Sequence, residues 1–247
     1  MLIDLNCDLG EGAGTDAALL PLITSANLSC GAHAGTPDQI AATLEQAARL
    51  GVVVGAHPGH RDREHFGRRE LHLPSRDVLE ETHGQIQWLK GLAARFGVTV
   101  RYVKPHGALY NAAARDRGLA DVIARAVGRV SPSLVLVGLA GSPLIAAGAA
   151  AGLRTAEEAF ADRAYEADGS LRSRRLDGAV HADAAVVAAQ AVSIARDGRV
   201  TVSDGSVLRV RADTICLHGD SPGAAHFARA VRDALAAAGI TVAAPEA

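Results

Sequence analysis

Short runs of apolar residues alternate along the chain with longer segments in which apolar positions recur every three or four residues. The short runs fit buried strands and the longer segments fit amphipathic helices, an alternation typical of proteins with a parallel sheet. Strands are predicted at Leu2–Asn6, Ala26–Cys30, Val52–His57, Arg101–His106, Leu134–Gly138, Leu153–Ala156 and Thr214–His218. Helices are predicted at Pro37–Leu50, Ser75–Phe96, Leu119–Val130, Pro143–Ala151, Ala182–Ala195 and Pro222–Ala238.

These strand–helix units continue without a break in composition, so we predict a single domain over residues 1–247. The expected α/β fold is a seven-stranded parallel (β/α) barrel, incomplete or distorted, and an open doubly wound sheet is the alternative. One interruption does not fit the alternation. Apolar runs on both sides of Asp204-Gly205 predict a small β-hairpin near residues 198–211.

Composition and charge narrow the functional classes. The 247 residues are 49% hydrophobic with a net charge of −2, which gives no broad basic surface for nucleic acid or an anionic membrane. Glycines and Pro143 interrupt the longest apolar stretch, residues 134–153, so we expect a buried strand and helix there and no membrane span. The three cysteines are widely separated, and a strand-like segment begins at Leu2 with no apolar leader. We therefore expect reduced thiols, no signal peptide and a cytoplasmic location.

Acidic and amide side chains alternate along the first predicted strand. Asp4, Asn6 and Asp8 share one face of this strand, and Glu11 follows in the turn. A carboxylate inside a small barrel is costly unless it is paired, metal-bound or hydrated. The face therefore predicts either a functional site or, for Asp4, a salt bridge to an arginine.

Four predicted strands end in a histidine that has a glycine within two residues. These histidines are His33, His57, His106 and His218. A single histidine at a strand end is more often structural than catalytic. In a parallel barrel, however, the carboxyl ends of the strands meet at one mouth, so four such residues predict a cavity where imidazole acts as acid, base or metal ligand.

Lys104 is one of only two lysines and lies two residues before His106. This position predicts a compact cation at a developing oxyanion. The structural alternative is a buried lysine paired with Asp4 or Asp8. Tyr110 and Asn111 follow in the same segment and are expected to orient a substrate.

Two further polar segments follow strand ends. Residues 157–165 include Asp162, Arg163 and Tyr165, and Arg163 is predicted to bind a substrate carboxylate through two hydrogen bonds. The alternative is a helix start with solvated charges. Residues 66–69 lie on the long loop after the third strand, where Arg68 either reaches over the site or is solvated.

Several common motifs are absent from the sequence. There is no G-x-x-x-x-G-K-[ST] loop, no G-x-G-x-x-G at a helix start and no G-x-S-x-G elbow, so the chain has no standard machinery for nucleotides or serine catalysis. There is also no H-E-x-x-H or C-x-x-C. The role of a divalent metal stays unknown, and we expect no obligatory, tightly bound transition ion.

Seven segments in the same order resemble those of the LamB/YcsF family. They are Asp4–Glu11, Ser25–Gly35, Gly55–Gly59, Phe66–Arg69, Lys104–Asn111, Phe160–Tyr165 and Cys216–Asp220. The resemblance implies a seven-stranded (β/α) barrel similar to polysaccharide deacetylases. It further implies that the chain acts with partner subunits B and C to hydrolyse the lactam of 5-oxoproline to glutamate. The reaction would consume ATP, bound largely by or with those partners.

The resemblance also suggests roles for individual residues. We expect Asp8 or His57 as the general base and Lys104 with His106 at the oxyanion. The positions expected to bind substrate are Asp4, Asn6, Glu11, His33, Arg68, Tyr110, Asn111, Asp162, Arg163, Tyr165, His218 and Asp220. Two other functions stay open. One is a stand-alone metal-dependent amidohydrolase or carbohydrate deacetylase that uses Asp8, His33 and His57 as ligands, and the other is a non-catalytic subunit that only binds partners.

Overall fold

Seven parallel strands close into a barrel in the computed structural model, which describes residues 1–220 and 223–244. The barrel strands are β1 (Leu2–Leu9), β2 (Ser25–Ser29), β3 (Val53–His57), β4 (Val100–Val103), β5 (Val135–Leu139), β6 (Arg154–Phe160) and β9 (Thr214–His218). Strand β9 pairs with both β6 and β1, and these pairings close the barrel. The predicted seven-stranded (β/α) barrel is therefore confirmed, and the open-sheet alternative is wrong.

Helices connect the strands and cover the outside of the barrel. They are α1 (Asp16–Leu19), α2 (Pro37–Leu50), α3 (Ser75–Ala94), α4 (Gly107–Ala113), α5 (Arg117–Val130), α6 (Pro143–Ala150), α7 (Ala184–Val192) and α8 (Ala224–Ala237). Helix α2 has the predicted bounds, since Thr36 and Gln39 form a capping box and Gly51 ends the helix at φ 68°. The first residue of the helix predicted at Pro222–Ala238 lies outside the described residues. Within the described part of the chain, no helix is long and apolar enough to cross a membrane.

A hairpin and a short strand lie outside the closed barrel. Strands β7 (Arg199–Thr201) and β8 (Val207–Arg209) pair in antiparallel fashion around the Asp204-Gly205 turn. A bridge between Tyr165 and Val202 attaches this hairpin to the segment that follows β6. Strand β10 (Thr241–Val242) extends the sheet alongside the start of β1.

The inside of the barrel is polar, whereas the outward strand residues pack against the helices. Asp4, Asn6 and Asp8 face inward from β1, and Ser25 and Asn27 face inward from β2. A cavity of about 160 Å³ lies inside the barrel, near the amino ends of the strands. Small parallel barrels usually have apolar side chains inside, so this polar column requires a network of internal hydrogen bonds.

Three strand ends differ from the predictions by three or four residues, and the first is that of β1, which continues past the predicted Asn6 to Leu9. Strand β6 continues to Phe160, because Glu157 and Glu158 are held in its ladder by pairing with β5 and β9. The prediction ended this strand at Ala156, since glutamate is rare in strands. Strand β4 ends at Val103, so Lys104 and His106 follow the strand and stand at the mouth of the barrel.

Candidate functional site

The carboxyl ends of β1 to β4 bring one cluster of buried polar side chains together. Strand β1 contributes Asp8, and the loop after it contributes Glu11. The other members are His33 from the loop after β2, His57 from the end of β3, and Lys104 and His106 from the segment after β4. Each of these side chains is buried. The predicted convergence at the carboxyl ends of the strands is therefore present in the geometry for these residues.

Three groups from separate strands surround the ammonium of Lys104. Its Nζ lies 2.9 Å from Asp8 Oδ1, 2.9 Å from Glu158 Oε1 and 3.0 Å from Cys216 Sγ. Burial alone disfavours the charged form, yet the Asp8 carboxylate and its other neighbours hold the pKa of Lys104 well above its ordinary value. The contacts with Asp8 and Cys216 are hydrogen bonds, and the contact with Glu158 is an ion pair. This argues against the expected oxyanion role, and the ion pair with Asp8 matches the structural alternative.

Asp8 presents its two carboxylate oxygens to different groups. Oδ1 accepts hydrogen bonds from Lys104 Nζ and from Asn27 Nδ2, the latter at 2.8 Å. Oδ2 lies 3.4 Å from His57 Nε2. Burial alone would raise the pKa of Asp8, but its contacts with His57 and with the Lys104 ammonium lower it well below its ordinary value. Asp8 is therefore an ionised carboxylate with Oδ2 facing the histidines.

The three histidines and Glu11 meet at a common point. The rings of His33 and His106 stack with their centroids 3.7 Å apart, and His57 meets His106 edge-on at 4.8 Å. Glu11 Oε1 lies 3.0 Å from His33 Nε2 and 3.3 Å from His106 Nδ1. One potential ligand atom from each of the four residues lies within 4.8 Å of the others. These are donor types that bind a metal ion, and the set differs from the expected Asp8, His33 and His57.

Burial disfavours the charged forms of His33, His106 and Glu11. It lowers the pKa of His33 and His106 well below their ordinary values, and neighbouring histidines add to the effect. Burial also raises the pKa of Glu11 well above its ordinary value, with a further contribution from the Asp8 carboxylate. The site as described lacks positive charge beside Glu11, because Lys104 pairs with Asp8 and Glu158.

The backbone of the loop between β3 and α3 packs directly against the imidazole rings of His33 and His106. The Phe66 carbonyl accepts a hydrogen bond from His106 Nε2 at 2.8 Å, and Phe66 itself has a positive φ of 55°. Gly67 follows at φ 62°, and a Cβ placed there would lie 2.8 Å from His33 Cβ and 2.9 Å from His106 Cδ2. The close approach of this loop therefore requires glycine at position 67.

We expect Gly67→Ala to destabilise the fold more than Gly14→Ala does. Both residues have a positive φ, so alanine at either position must adopt the left-handed backbone conformation, which costs about 1–2 kcal/mol. Gly14 is exposed, and a Cβ placed there would have no contacting atom of the described chain within 4 Å. Alanine at position 67 must in addition displace two imidazole rings, which costs a further 1–3 kcal/mol, roughly. Urea unfolding of both variants measures this difference. Equal losses would show that the loop moves away from the histidines at no cost.

Two ion pairs lie beside this cluster. Arg68, from the loop after β3, pairs with Asp220, from the loop after β9. His218 Nδ1 lies 2.9 Å from Asp162 Oδ2, and its backbone N–H donates to the same oxygen. His218 is thus paired with Asp162, outside the group formed by Glu11 and the other three histidines.

Arg163 is buried against backbone. Its Nε donates to the Ala179 carbonyl at 3.1 Å, and one terminal nitrogen donates to the Arg172 carbonyl at 2.6 Å. Burial lowers the pKa of Arg163 to about 10. The Tyr165 hydroxyl accepts from the backbone N–H of Phe160 at 2.7 Å. These hydrogen bonds hold residues 160–179 in place. The predicted binding of a substrate carboxylate by two hydrogen bonds from Arg163 does not match this geometry. The alternative prediction, a helix start with solvated charges, does not occur either.

A family model described as "LamB/YcsF family" matches residues 3–247. The chain belongs to the LamB/YcsF family. A relative from Paracidovorax citrulli, named as the A subunit of 5-oxoprolinase, is 54% identical over 98% of both chains. The crystal structure of a lactam utilization protein from Thermus thermophilus is 43% identical with a TM-score of 0.93, over 99% of this chain and 100% of that one.

A more distant structural likeness concerns the fold alone. A structure described as T48 deacetylase with substrate is 14% identical, with a TM-score of 0.50 over 98% of this chain and 86% of that chain. The expected membership of the LamB/YcsF family and the expected likeness to deacetylase barrels are confirmed.

The remaining predicted residues of this LamB/YcsF barrel lie deeper inside it or beside it. Asp4 accepts hydrogen bonds from the hydroxyls of Thr24, Ser25 and Thr214, so the expected arginine salt bridge is absent from the described contacts. Asn6 Nδ2 donates to Glu158 Oε1 at 3.0 Å. Asp4 and Asn6 form the base of the polar column, below the histidines.

Helix α4 carries the two residues expected to orient a substrate. Tyr110 is buried, and Lys104 Nζ lies 5.9 Å from the centre of its ring. Burial and the nearby Glu158 charge raise the pKa of Tyr110 well above its ordinary value. Asn111, on the same helix, is half-buried.

Glu158 and Asn27 are site residues that the sequence reasoning did not single out. Glu158 is fully buried and contacts both Lys104 and Asn6. Asn27 donates to Asp8 Oδ1 and to Asn6 Oδ1. A signal for Asn27 was available, because Ser25, Asn27 and Ser29 alternate on β2 as Asp4, Asn6 and Asp8 do on β1.

Proposed function

We propose that this chain is the A subunit of an ATP-dependent 5-oxoprolinase, which hydrolyses the lactam of 5-oxoproline to glutamate with partner subunits B and C. The observation that carries the proposal is 54% identity, over nearly the full length, to a relative named as the A subunit of 5-oxoprolinase. The 43% identical structure named lactam utilization protein supports a lactam as the substrate class. The word subunit in the relative's name supports a complex.

The chemistry of a lactam explains why ATP and partners are needed. Resonance stabilises the ring amide, so water attacks its carbonyl readily only after the oxygen is activated, for example by phosphorylation. The sequence has no phosphate-binding glycine-rich loop. In this proposal the partners supply most of the ATP-binding surface, and the barrel supplies the groups that act on the activated ring.

Asp8 is the general base in this proposal. It stays ionised at neutral pH, and its Oδ2 faces the histidine cluster while Oδ1 is fixed by Lys104 and Asn27. A carboxylate fixed in this way can accept a proton from a water molecule that attacks the ring carbonyl. His57 is the weaker candidate, because its Nε2 also lies 2.9 Å from His106 Nδ1.

Lys104 and Arg68 support this base in different ways. Lys104 acts as a positioning residue that holds the Asp8 carboxylate in its charged form. Arg68 is exposed beside the cluster, where its guanidinium pairs with Asp220. We assign Arg68 to the substrate carboxylate in place of Arg163, two of whose guanidinium nitrogens donate to backbone carbonyls.

The test is reconstitution with partner subunits B and C. Glutamate should form from 5-oxoproline and ATP when all three subunits are present, and removing this chain should abolish it. The purified chain alone should show negligible ATP hydrolysis and negligible ring opening. Robust ring opening by the single chain would contradict the proposal that the partner subunits are required. Release of acetate from an N-acetylated sugar would instead support the deacetylase alternative.

A further inference from the structure

We propose that Glu11, His33, His57 and His106 bind one divalent transition-metal ion, with Zn²⁺ preferred. The ligand atoms are Glu11 Oε1, His33 Nε2, His57 Nε2 and His106 Nδ1. The site rests on the arrangement of these side chains and stands independently of the proposed lactam hydrolysis. It reverses the expectation of no tightly bound transition ion, which came from the absence of local motifs.

The hydrogen bonds of two imidazoles fix which nitrogen carries the proton. His57 Nδ1 lies 2.7 Å from the Lys104 carbonyl oxygen, and His106 Nε2 lies 2.8 Å from the Phe66 carbonyl oxygen. A carbonyl oxygen only accepts, so both of these nitrogens are the N–H donors. The opposite nitrogens, His57 Nε2 and His106 Nδ1, therefore carry lone pairs in the neutral rings.

The two nitrogens that carry these lone pairs, His57 Nε2 and His106 Nδ1, lie 2.9 Å apart. Neither nitrogen donates to the other in this tautomer, so the contact is repulsive unless a cation or a proton lies between them. A proton would place an additional positive charge in a buried cluster of three imidazoles, whereas a metal ion is coordinated by all of the lone pairs at once. The arrangement therefore favours a shared cation.

Glu11 supplies the charge that such an ion needs. Its carboxylate is buried, with Oε1 3.0 Å from His33 Nε2, 3.3 Å from His106 Nδ1 and 3.9 Å from His57 Nε2. Lys104 is ion-paired with Asp8 and Glu158, and Arg68 is ion-paired with Asp220. A buried carboxylate without a dedicated cation is costly, and a divalent ion at this point removes the cost.

The distances also suit a tetrahedral ion. Four ligands at the usual Zn–N and Zn–O distances of roughly 2.0–2.1 Å lie about 3.3 Å from one another. All four ligand atoms lie within 4.8 Å of one another, with close contacts of 2.9 to 3.9 Å, so coordination requires the wider pairs to close in and the stacked rings of His33 and His106 to rotate out of parallel. Three imidazoles and one carboxylate are donors that suit Zn²⁺ better than Mg²⁺ or Ca²⁺.

The surrounding backbone behaves as the outer layer of a metal site. Metal-binding histidines usually donate their second ring N–H to a carbonyl or carboxylate, as His57 and His106 do here. Asp8 Oδ2, 3.4 Å from His57 Nε2, lies beside the group without being part of it. When bound, such an ion supplies positive charge next to the proposed base.

The experiment measures metal on the purified chain alone. After chelation, apo protein is titrated with ZnCl₂ in a calorimeter, with metal content checked by mass spectrometry and Tm measured with and without Zn²⁺. We expect about one ion per chain and a higher Tm with Zn²⁺. X-ray absorption should show Zn–N distances of about 2.0–2.1 Å.

Glu11→Gln and His106→Gln should each weaken Zn²⁺ binding by about 100-fold or more and remove most of the Zn²⁺-dependent rise in Tm. The matched control is His65→Gln, an exposed histidine near the same loop that pairs with Asp62, and it should bind like the wild type. Circular dichroism shows which variants fold. Stoichiometric binding that is unchanged in both ligand variants would place the ion elsewhere and overturn the site.

Wild-type apo protein that is folded but binds no Zn²⁺, Co²⁺ or Mn²⁺ would also overturn the site, without reference to any variant. Because neither partners nor ATP are present, the outcome is separate from lactam hydrolysis. Metal binding with an inactive reconstituted complex would leave the site standing and count against the proposed function.

Discussion

Lys104→Met should destabilise the folded chain by about 3–5 kcal/mol. The substitution removes the cation that lies 2.9 Å from both Asp8 and Glu158, leaving two buried carboxylates without it. Asn6 and Asn27 still donate to these carboxylates, but they carry no charge. Urea unfolding followed by circular dichroism measures the loss.

Lys90→Met is the matched control, because Lys90 is the only other lysine and is half-buried on helix α3. Its loss should change the free energy of unfolding by less than about 0.5 kcal/mol. Adding Glu158→Gln to Lys104→Met should recover part of the stability, since one unpaired charge is removed. A Lys104→Met protein that unfolds like the wild type yet turns over about 10²–10³ times more slowly would restore the oxyanion role.

The closed parallel topology explains which parts of this site the sequence could predict. Once strands are assigned, their carboxyl ends must meet at one mouth, and Asp8, His57 and His106 are brought together by that rule alone. The rule does not say which histidines touch. His218 ends its strand in the same way, yet it pairs with Asp162, while His33 reaches the cluster from a loop. Loop conformations, such as the positive φ of Phe66, determine which histidines come into contact. These conformations depend on tertiary contacts, which a local sequence pattern does not reveal.

Glu158 shows why the centre of the network was missed. Ala156, Glu158 and Phe160 alternate on one face of β6, but glutamate is rare in strands, so the pattern ended the strand at Ala156. Pairing with β5 and β9 overrides that local preference. Lys104 then has a second carboxylate partner from a distant strand of the barrel, which no local pattern indicates. The metal ligands are dispersed in the same way, so no short motif marks them.

The second large effect concerns Asp8. Asp8→Asn should lower the turnover of the reconstituted complex by about 10²–10⁴-fold, with little change in KM for 5-oxoproline, because the amide cannot accept the proton of the attacking water. Asp8→Asn should also lower the free energy of unfolding by less than Lys104→Met does. The oxygen of the new amide still accepts from the Lys104 ammonium, and Glu158 still neutralises that ammonium.

Asp4→Asn is the matched control on the same face of β1. Asp4 is buried among the hydroxyls of Thr24, Ser25 and Thr214, and burial raises its pKa, so an uncharged amide costs little there. Hydroxyls both donate and accept, and they can adjust to the new amide. We expect this variant to keep near-wild-type turnover per folded chain. If Asp8→Asn also kept wild-type turnover, Asp8 would not be the base, and its role would reduce to its ion pair with Lys104.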